Sequence, residues 1–168
     1  MGINLKKIII LGSSNKTGNT FRFAQELMKQ ATLDIINLDD YPMTFFDYEQ
    51  NNRNDKFKEL IQLILEYDHV VFASPVYWYA MSAQMKVFFD RFSDLLTSSK
   101  ELGRLLRGKS CSVIATGTDV ELPNCFFRPF ELTAKYLSMS FEGYGYLSVK
   151  NGFDVKRAVV EVERFLQA

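Results

Sequence analysis

Apolar positions along the chain follow two alternating rhythms. Lys6 to Leu11 is a short, β-branched apolar run stopped by Gly12, the pattern of a strand buried on both faces. Phe21, Ala24, Leu27, Met28 and Ala31 then recur at helical spacing, and Leu33 to Leu38 reads as a second strand. Residues 39–52 are polar and aromatic and read as an irregular loop. Phe57, Leu60, Ile61, Ile64 and Leu65 share one helical face, and His69 to Ala73 is a third strand ended by Ser74-Pro75.

Met85, Phe88, Phe89, Phe92, Leu95 and Leu96 form one helical stripe, with Ser82 as its N-cap. Ser110 to Ala115 is a fourth strand. After a polar loop over 117–124 the spacing predicts a helix to about Leu137, with Pro129 in its first turn. Met139 to Val149 holds a fifth strand, interrupted by Gly143 and Gly145, and a last amphipathic helix carries Val155, Ala158, Val159, Val162, Phe165 and Leu166. Strands alternating with helices predict an α/β three-layer sandwich: one domain over 1–168, with a five-stranded parallel sheet covered on both faces. Right-handed crossovers leave few topologies, of which the flavodoxin-like order 2-1-3-4-5 is the commonest for this count. That order places a ligand at the carboxyl ends of strands 1 and 3, so the loops after Leu11, Ala73 and Ala115 hold the candidate chemistry.

Composition narrows the function. Lys plus Arg equals Asp plus Glu at 20 each, so neither a strongly basic nucleic-acid binder nor a strongly acidic docking protein is expected. The two cysteines are too few for a disulfide scaffold or a four-cysteine metal centre, and one histidine offers little more. No apolar run is long enough to span a bilayer. The apolar run after Lys6-Lys7 is too short for a signal peptide, and Met1-Gly2 lacks the downstream Ser or Thr of a myristoylation motif. Cytoplasm is the expected compartment, with no membrane or nucleic-acid partner.

The loop after strand 1 reads Gly12-Ser13-Ser14-Asn15-Lys16-Thr17-Gly18-Asn19-Thr20 and runs into a helix. Small residues let backbone N–H groups turn toward an anion. Ser13, Thr17 and Thr20 add hydroxyls, Lys16 a full charge, and the helix N-terminus a partial one. The spacing is wrong for a Walker A loop, because Asn19 stands where lysine is required, and it lacks the three close glycines of a dinucleotide fingerprint. No cysteine nucleophile is present for a phosphatase loop. A site for a terminal phosphate monoester remains, beside the alternative of an ordinary polar turn with a good helix start. The loop after strand 3 reads Ser74-Pro75-Val76-Tyr77-Trp78-Tyr79-Ala80-Met81-Ser82. A proline-stiffened loop with three successive aromatics suits a flat amphipathic ring; the alternative is that the aromatics plug the sheet edge or pack under the next helix.

Together these segments resemble the flavodoxin-like NAD(P)H-dependent FMN reductase and quinone reductase group. Ser74 to Phe92 is similar to that family's second flavin loop and following helix, and Gly12 to Thr20 to its phosphate loop. The resemblance implies FMN, with the phosphate on Ser13, Lys16, Gly18, Asn19 and Thr20. It implies that Pro75, Val76, Tyr77, Trp78 and Tyr79 line the isoalloxazine, with Thr116 and Gly117 approaching its other side. NADH or NADPH would deliver hydride to the flavin and give way to a small-molecule electron acceptor: a quinone, an azo or nitro compound, free flavin or a ferric species. No residue is expected to act in acid–base catalysis, because the flavin carries the chemistry. The family often has arginine where Asn15 stands. One branch holds an iron–sulfur centre on cysteines after strand 2; residues 39–60 contain none, so no such cluster is expected.

The resemblance also implies a homodimer through the Met85–Leu96 helix or the aromatic loop. Cys111 and Cys125 read as packing residues, His69 as structural or solvated, Lys86 and Asp90 as a surface pair, and Asp47 and Glu49 as solvated loop. Two rival readings are a flavodoxin-type electron carrier without its own NAD(P)H reaction and a flavin-free sensor on the same fold. The neutral charge and the Tyr-Trp-Tyr run oppose the first. Gly12-Ser13-Ser14, standing where a phosphate-accepting regulator needs acids, opposes the second.

Overall fold

The computed structural model describes residues 5–167, so Met1-Gly2 lies outside the described residues. The strands are β1 (Lys7–Leu11), β2 (Asp34–Asn37), β3 (His69–Pro75), β4 (Ser110–Gly117) and β5 (Ser140–Ser148). They form one parallel sheet in the order β2-β1-β3-β4-β5, as the alternation predicts. The helices are α1 (Asn19–Gln30), α2 (Phe57–Ile64), α3 (Ala83–Asp90), α4 (Lys100–Leu105), α5 (Asn124–Tyr136) and α6 (Val155–Gln167). None is long and apolar enough to cross a membrane.

Successive side chains of a strand point to opposite faces, so a doubly covered strand is apolar throughout. In β1, Ile8 and Ile10 enter the core under α2, α3 and α5, whereas Ile9 and Leu11 enter the core under α1 and α6. The larger core is aliphatic around a cluster of phenylalanines. Phe88 packs on Phe92 at 4.9 Å between ring centroids, and Phe89 on Phe130 at the same distance. Phe88 and Phe130, both fully buried, each contribute about 1.5–3 kcal/mol.

Three local expectations are corrected and one unassigned stretch proves helical. The Met85–Leu96 stripe is not one α-helix: α3 stops at Asp90 and residues Arg91–Leu96 tighten into a 3-10 turn. In that geometry positions i and i+3 eclipse, which brings the buried Arg91 Nε to Asp94 Oδ2 at 2.8 Å. Helix α4 was not expected, because Gly103 interrupts its helical pattern; a Cβ at Gly103 would lie 2.4 Å from the Leu95 carbonyl oxygen. Pro129 falls in the second turn of α5, since the helix already starts at Asn124 after Pro123. Strand β5 is continuous. Its pairing with β4 shifts register between Cys111 and Val113, and Gly143, at φ 91°, absorbs the irregularity.

Candidate functional site

The parallel register aligns the ends of β1, β3 and β4 on one edge, where Leu11 pairs with Ala73 and Pro75 with Thr116. All twelve residues singled out as a candidate ligand site lie at the strand ends, in the loops and at the helix start on this edge.

The turn after β1 begins with close backbone packing. Gly12 N donates to Ala73 O at 2.9 Å, and a Cβ at Gly12 would sit 3.0 Å from Met85 Cβ and 3.2 Å from Leu38. Ser13 is buried; its Oγ accepts from Asn15 N at 3.3 Å. The Asn15 side chain closes an Asx turn, accepting from Thr17 N at 3.1 Å. Gly18 occupies the N-cap of α1 with no side-chain cap, so the first N–H groups of this 12-residue helix have no capping partner from a side chain. The Thr20 and Thr116 hydroxyls meet at 2.7 Å, both buried, and tie this turn to β4. Lys16 does not point into the turn: Nζ pairs with Asp40 at 3.0 Å, both side chains largely exposed.

The segment after β3 is held from beneath and strained on top. Val76 N donates to Thr116 O at 2.8 Å. Tyr77 and Ala80 exchange backbone hydrogen bonds at 2.9 and 3.0 Å around Trp78 and Tyr79, whose φ angles are 50° and 66°. Two left-handed residues in succession are what a type I′ turn requires, and Asn-Gly usually supplies them. Trp78 is 93% exposed, Tyr79 60% and Tyr77 49%, so these rings do not plug the sheet edge. Ser82 joins the two loops. Its Oγ donates to Gly12 O at 2.7 Å and accepts from Met85 N at 3.2 Å, while its N donates to Ser74 Oγ at 3.0 Å. The capping role of Ser82 was legible in sequence; its reach across 70 positions to Gly12 was not.

After β4, Gly117 permits another close approach: a Cβ there would lie 2.9 Å from Tyr146 Oη and 3.2 Å from Val76 Cβ. Tyr146 donates to Asp119 O at 2.9 Å; burial, then Asp119, raise its pKa. Sequence reasoning gave Tyr146 no role here. Cys125 is exposed rather than packed, with Sγ 3.5 Å from Tyr79 O, because it stands in the first turn of α5 beside the aromatic turn.

The other titratable candidates lie elsewhere. His69 sits at the far end of β3, buried, with Nδ1 2.7 Å from Ser110 Oγ and Nε2 2.8 Å from Ser112 Oγ; burial lowers its pKa, and Glu142 raises it by less. Cys111 is buried, and its thiol is pushed up to about 12 by burial and then by Glu142. Lys86 and Asp90 form the expected surface pair. Asp47 organises its own exposed turn, accepting from Glu49 N and Asn51 N. Among the described residues no group of three or more His, Cys, Asp or Glu could hold a metal ion.

The residues at the sheet edge fit a flavin mononucleotide. An uncapped helix start beside small and hydroxyl residues suits a terminal phosphate. Glycines at 12 and 117 let the loops pack closely on Met85, Leu38, Tyr146 and Val76, and an exposed aromatic turn offers faces for a flat ring.

Comparisons with known proteins agree. Residues 5–122, which span all three loops, match the family NADPH-dependent FMN reductase. A putative NAD(P)H-dependent FMN-containing oxidoreductase of Bacillus subtilis, YwqN, is 28% identical over 152 residues, 83% of either chain. Among solved structures, a Trp repressor binding protein from Bacillus subtilis superposes with a TM-score of 0.76 at 24% identity, over 96% of this chain and 99% of that one. The general stress protein 14 of Treponema denticola, solved in complex with FMN, gives 0.68 at 18% identity over 96% of each chain. With its flavodoxin-like fold and these relatives, the chain belongs to the NADPH-dependent FMN reductase family and is an FMN-containing reductase with NAD(P)H as electron donor.

Proposed function

We propose that the three loops hold FMN as the sequence suggests and that the reduced enzyme passes its electrons to a small acceptor at the open aromatic edge. Bound FMN supplies the chemistry, taking hydride from the nicotinamide and giving reducing equivalents onward. The chain's own part is placement. Ser13, Gly18, Asn19 and Thr20 direct hydroxyl and backbone donors at the phosphate, and the uncapped start of α1 adds its partial positive charge. Lys16 leaves Asp40 to join them, because an exposed ion pair holds it by only about 0–1 kcal/mol. Pro75, Val76, Tyr77, Trp78 and Tyr79 line one side of the ring, and Thr116 and Gly117 the other. Trp78 offers a stacking surface to nicotinamide or acceptor. Quinones, azo and nitro compounds, free flavin and ferric species are the acceptor classes to screen.

The observation that carries this reading is the fastening of the first two loops by one side chain, Ser82, at the carboxyl edge of β1 and β3. To test it, the chain is saturated with FMN, freed of excess and mixed anaerobically with NADH or NADPH. Retained flavin that bleaches, and recolours on adding a naphthoquinone, supports the reading. Loss of the flavin on gel filtration sinks it.

A homodimer belongs to the same proposal. Leu96, Leu132 and Tyr136 are exposed side by side with the half-buried Phe89, around a cavity of about 310 Å³. A second copy of this chain covers that face. Sedimentation velocity of the native chain is expected to show a dimer at micromolar concentration, and Leu132→Glu a monomer; a native monomer removes the claim. Cytoplasm is the compartment we infer, on two unpaired thiols that suit a reducing environment.

A further inference from the structure

Tyr146 belongs to none of the three loops, yet its side chain fastens the last of them. It stands on β5 opposite Ala115 of β4, while Gly117, two positions on, pairs with Ser148. Its ring is half-buried and packs against the larger core, which leaves the hydroxyl at its end little freedom. Two strand positions span roughly 7 Å, about the reach of a tyrosine side chain leaning along the strand. There Oη donates to Asp119 O at 2.9 Å. Among the described residues this is the one hydrogen bond made by residues 118–122. Residues 118–121 are all exposed, and Leu122 is buried in the same core. The loop is therefore held by the sheet at Gly117, by apolar burial at Leu122, and between them by one phenol.

Gly117 lets that phenol in. A Cβ there would lie 2.9 Å from Tyr146 Oη and 3.2 Å from Val76 Cβ. Oη, Gly117 and Val76 thus meet where the second and third loops touch, and Val76 N donates to Thr116 O at 2.8 Å in the same place. Beyond the loop, Cys125 Sγ lies 3.5 Å from Tyr79 O, so its far end also reaches the aromatic turn. Water serves an exposed loop carbonyl nearly as well as a phenol does, so the bond to Asp119 contributes little net stability. What it does contribute is a fixed position for the loop. Burial, then Asp119, raise the Tyr146 pKa, so the phenol keeps the proton it donates at neutral pH.

We propose that Tyr146 is a positioning residue of the reductase: through Asp119 and Gly117 it fixes residues 117–121 against the aromatic turn and so sets the gap that receives the flavin ring. The proposal rests on the flavin reading given above.

The test compares FMN binding and the visible circular dichroism of the bound flavin in the native chain, Tyr146→Phe and Tyr144→Phe. Tyr144 is the matched control: it stacks on Phe127 at 4.5 Å and makes no side-chain hydrogen bond among the described residues. Tyr146→Phe is expected to weaken FMN about fivefold and, at FMN saturation, to change the dichroism of the ring. Tyr144→Phe is expected to stay within about twofold of native, with the native dichroism. A merely structural role for Tyr146 would lower the melting temperature without altering how a bound ring sits. Gly117→Ala supplies a second route, because its Cβ presses Oη away from Asp119. It is expected to weaken FMN in the native background and by a markedly smaller factor once Tyr146→Phe has removed Oη. Native affinity or native dichroism in Tyr146→Phe, or equal Gly117→Ala factors in the two backgrounds, overturns the proposal alone. A native chain that binds no FMN removes the flavin reading and this proposal with it.

Discussion

Trp78 and Tyr79 occupy positions where a chain normally spends glycine or asparagine. Each left-handed residue costs about 1–2 kcal/mol, and neither ring recovers that by burial. Strain kept at an exposed edge points to a ligand that uses it. Tyr79→Gly is therefore expected to raise the melting temperature by about 2–4 °C, as roughly 1 kcal/mol of strain is relieved, while weakening FMN retention. A lower melting temperature, or unchanged retention, contradicts this. Gly117→Ala acts oppositely, since its Cβ would press on Tyr146 Oη and Val76. It is expected to cost about 1–3 kcal/mol in urea unfolding, and a loss below about 0.5 kcal/mol would mean that Tyr146 simply swings aside.

Among the elements, the segment between β2 and α2 depends on one side chain. Arg91 binds Asp55, Asp94 and the Thr44 carbonyl, and its guanidinium lies 4.8 Å from the Phe57 ring. Burial works against the Asp55 carboxylate, but hydrogen bonds from Arg91, Phe57 N and Thr44 N outweigh it and hold its pKa below the ordinary 3.8. A depressed carboxyl contributes stability that is complete above 3.8 and is lost as pH falls below that value toward the folded pKa. Asp55→Asn is expected to flatten the acid limb of the stability curve in that window; an unchanged acid limb refutes it. Arg91→Met strands two carboxylates and is expected to cost about 3–5 kcal/mol, read as a shift of the urea midpoint. The hub was not legible beforehand. A lone Arg in an aromatic stripe looks like its solvated edge, and only the 3-10 turn directs Arg91 inward to Asp94. The strands were legible because burial on both faces demands unbroken apolar runs. Helix α4 was not, because Gly103 serves a tertiary contact with Leu95 against its own helical preference.

At the scale of the whole molecule, the sheet order is the commonest that alternation and handedness allow, and it brings the three candidate loops to one edge, while FMN itself was legible only through the family resemblance. What stayed hidden were ties between distant positions: Ser82 to Gly12, Thr20 to Thr116, Lys16 to Asp40. The opposite edge holds a second group that ties stability to pH. His69 is held by Ser110 and Ser112 with a pKa lowered by burial, so its contribution is complete above 6.5 and declines as pH falls through the folded value. Global stability is expected to drop on acidification below 6.5 in the native chain and to drop less in His69→Gln; parallel curves exclude His69 as the source. The two cysteines, finally, give the molecule its own stopwatch. Cys125 stands in solvent, while Cys111 is buried near the start of β4 with its thiol pushed up to about 12. A thiol reagent will mark the first at once and the second only when β4 parts from its neighbours. The lag between the two modifications, followed by mass, times the opening of the sheet without any added label.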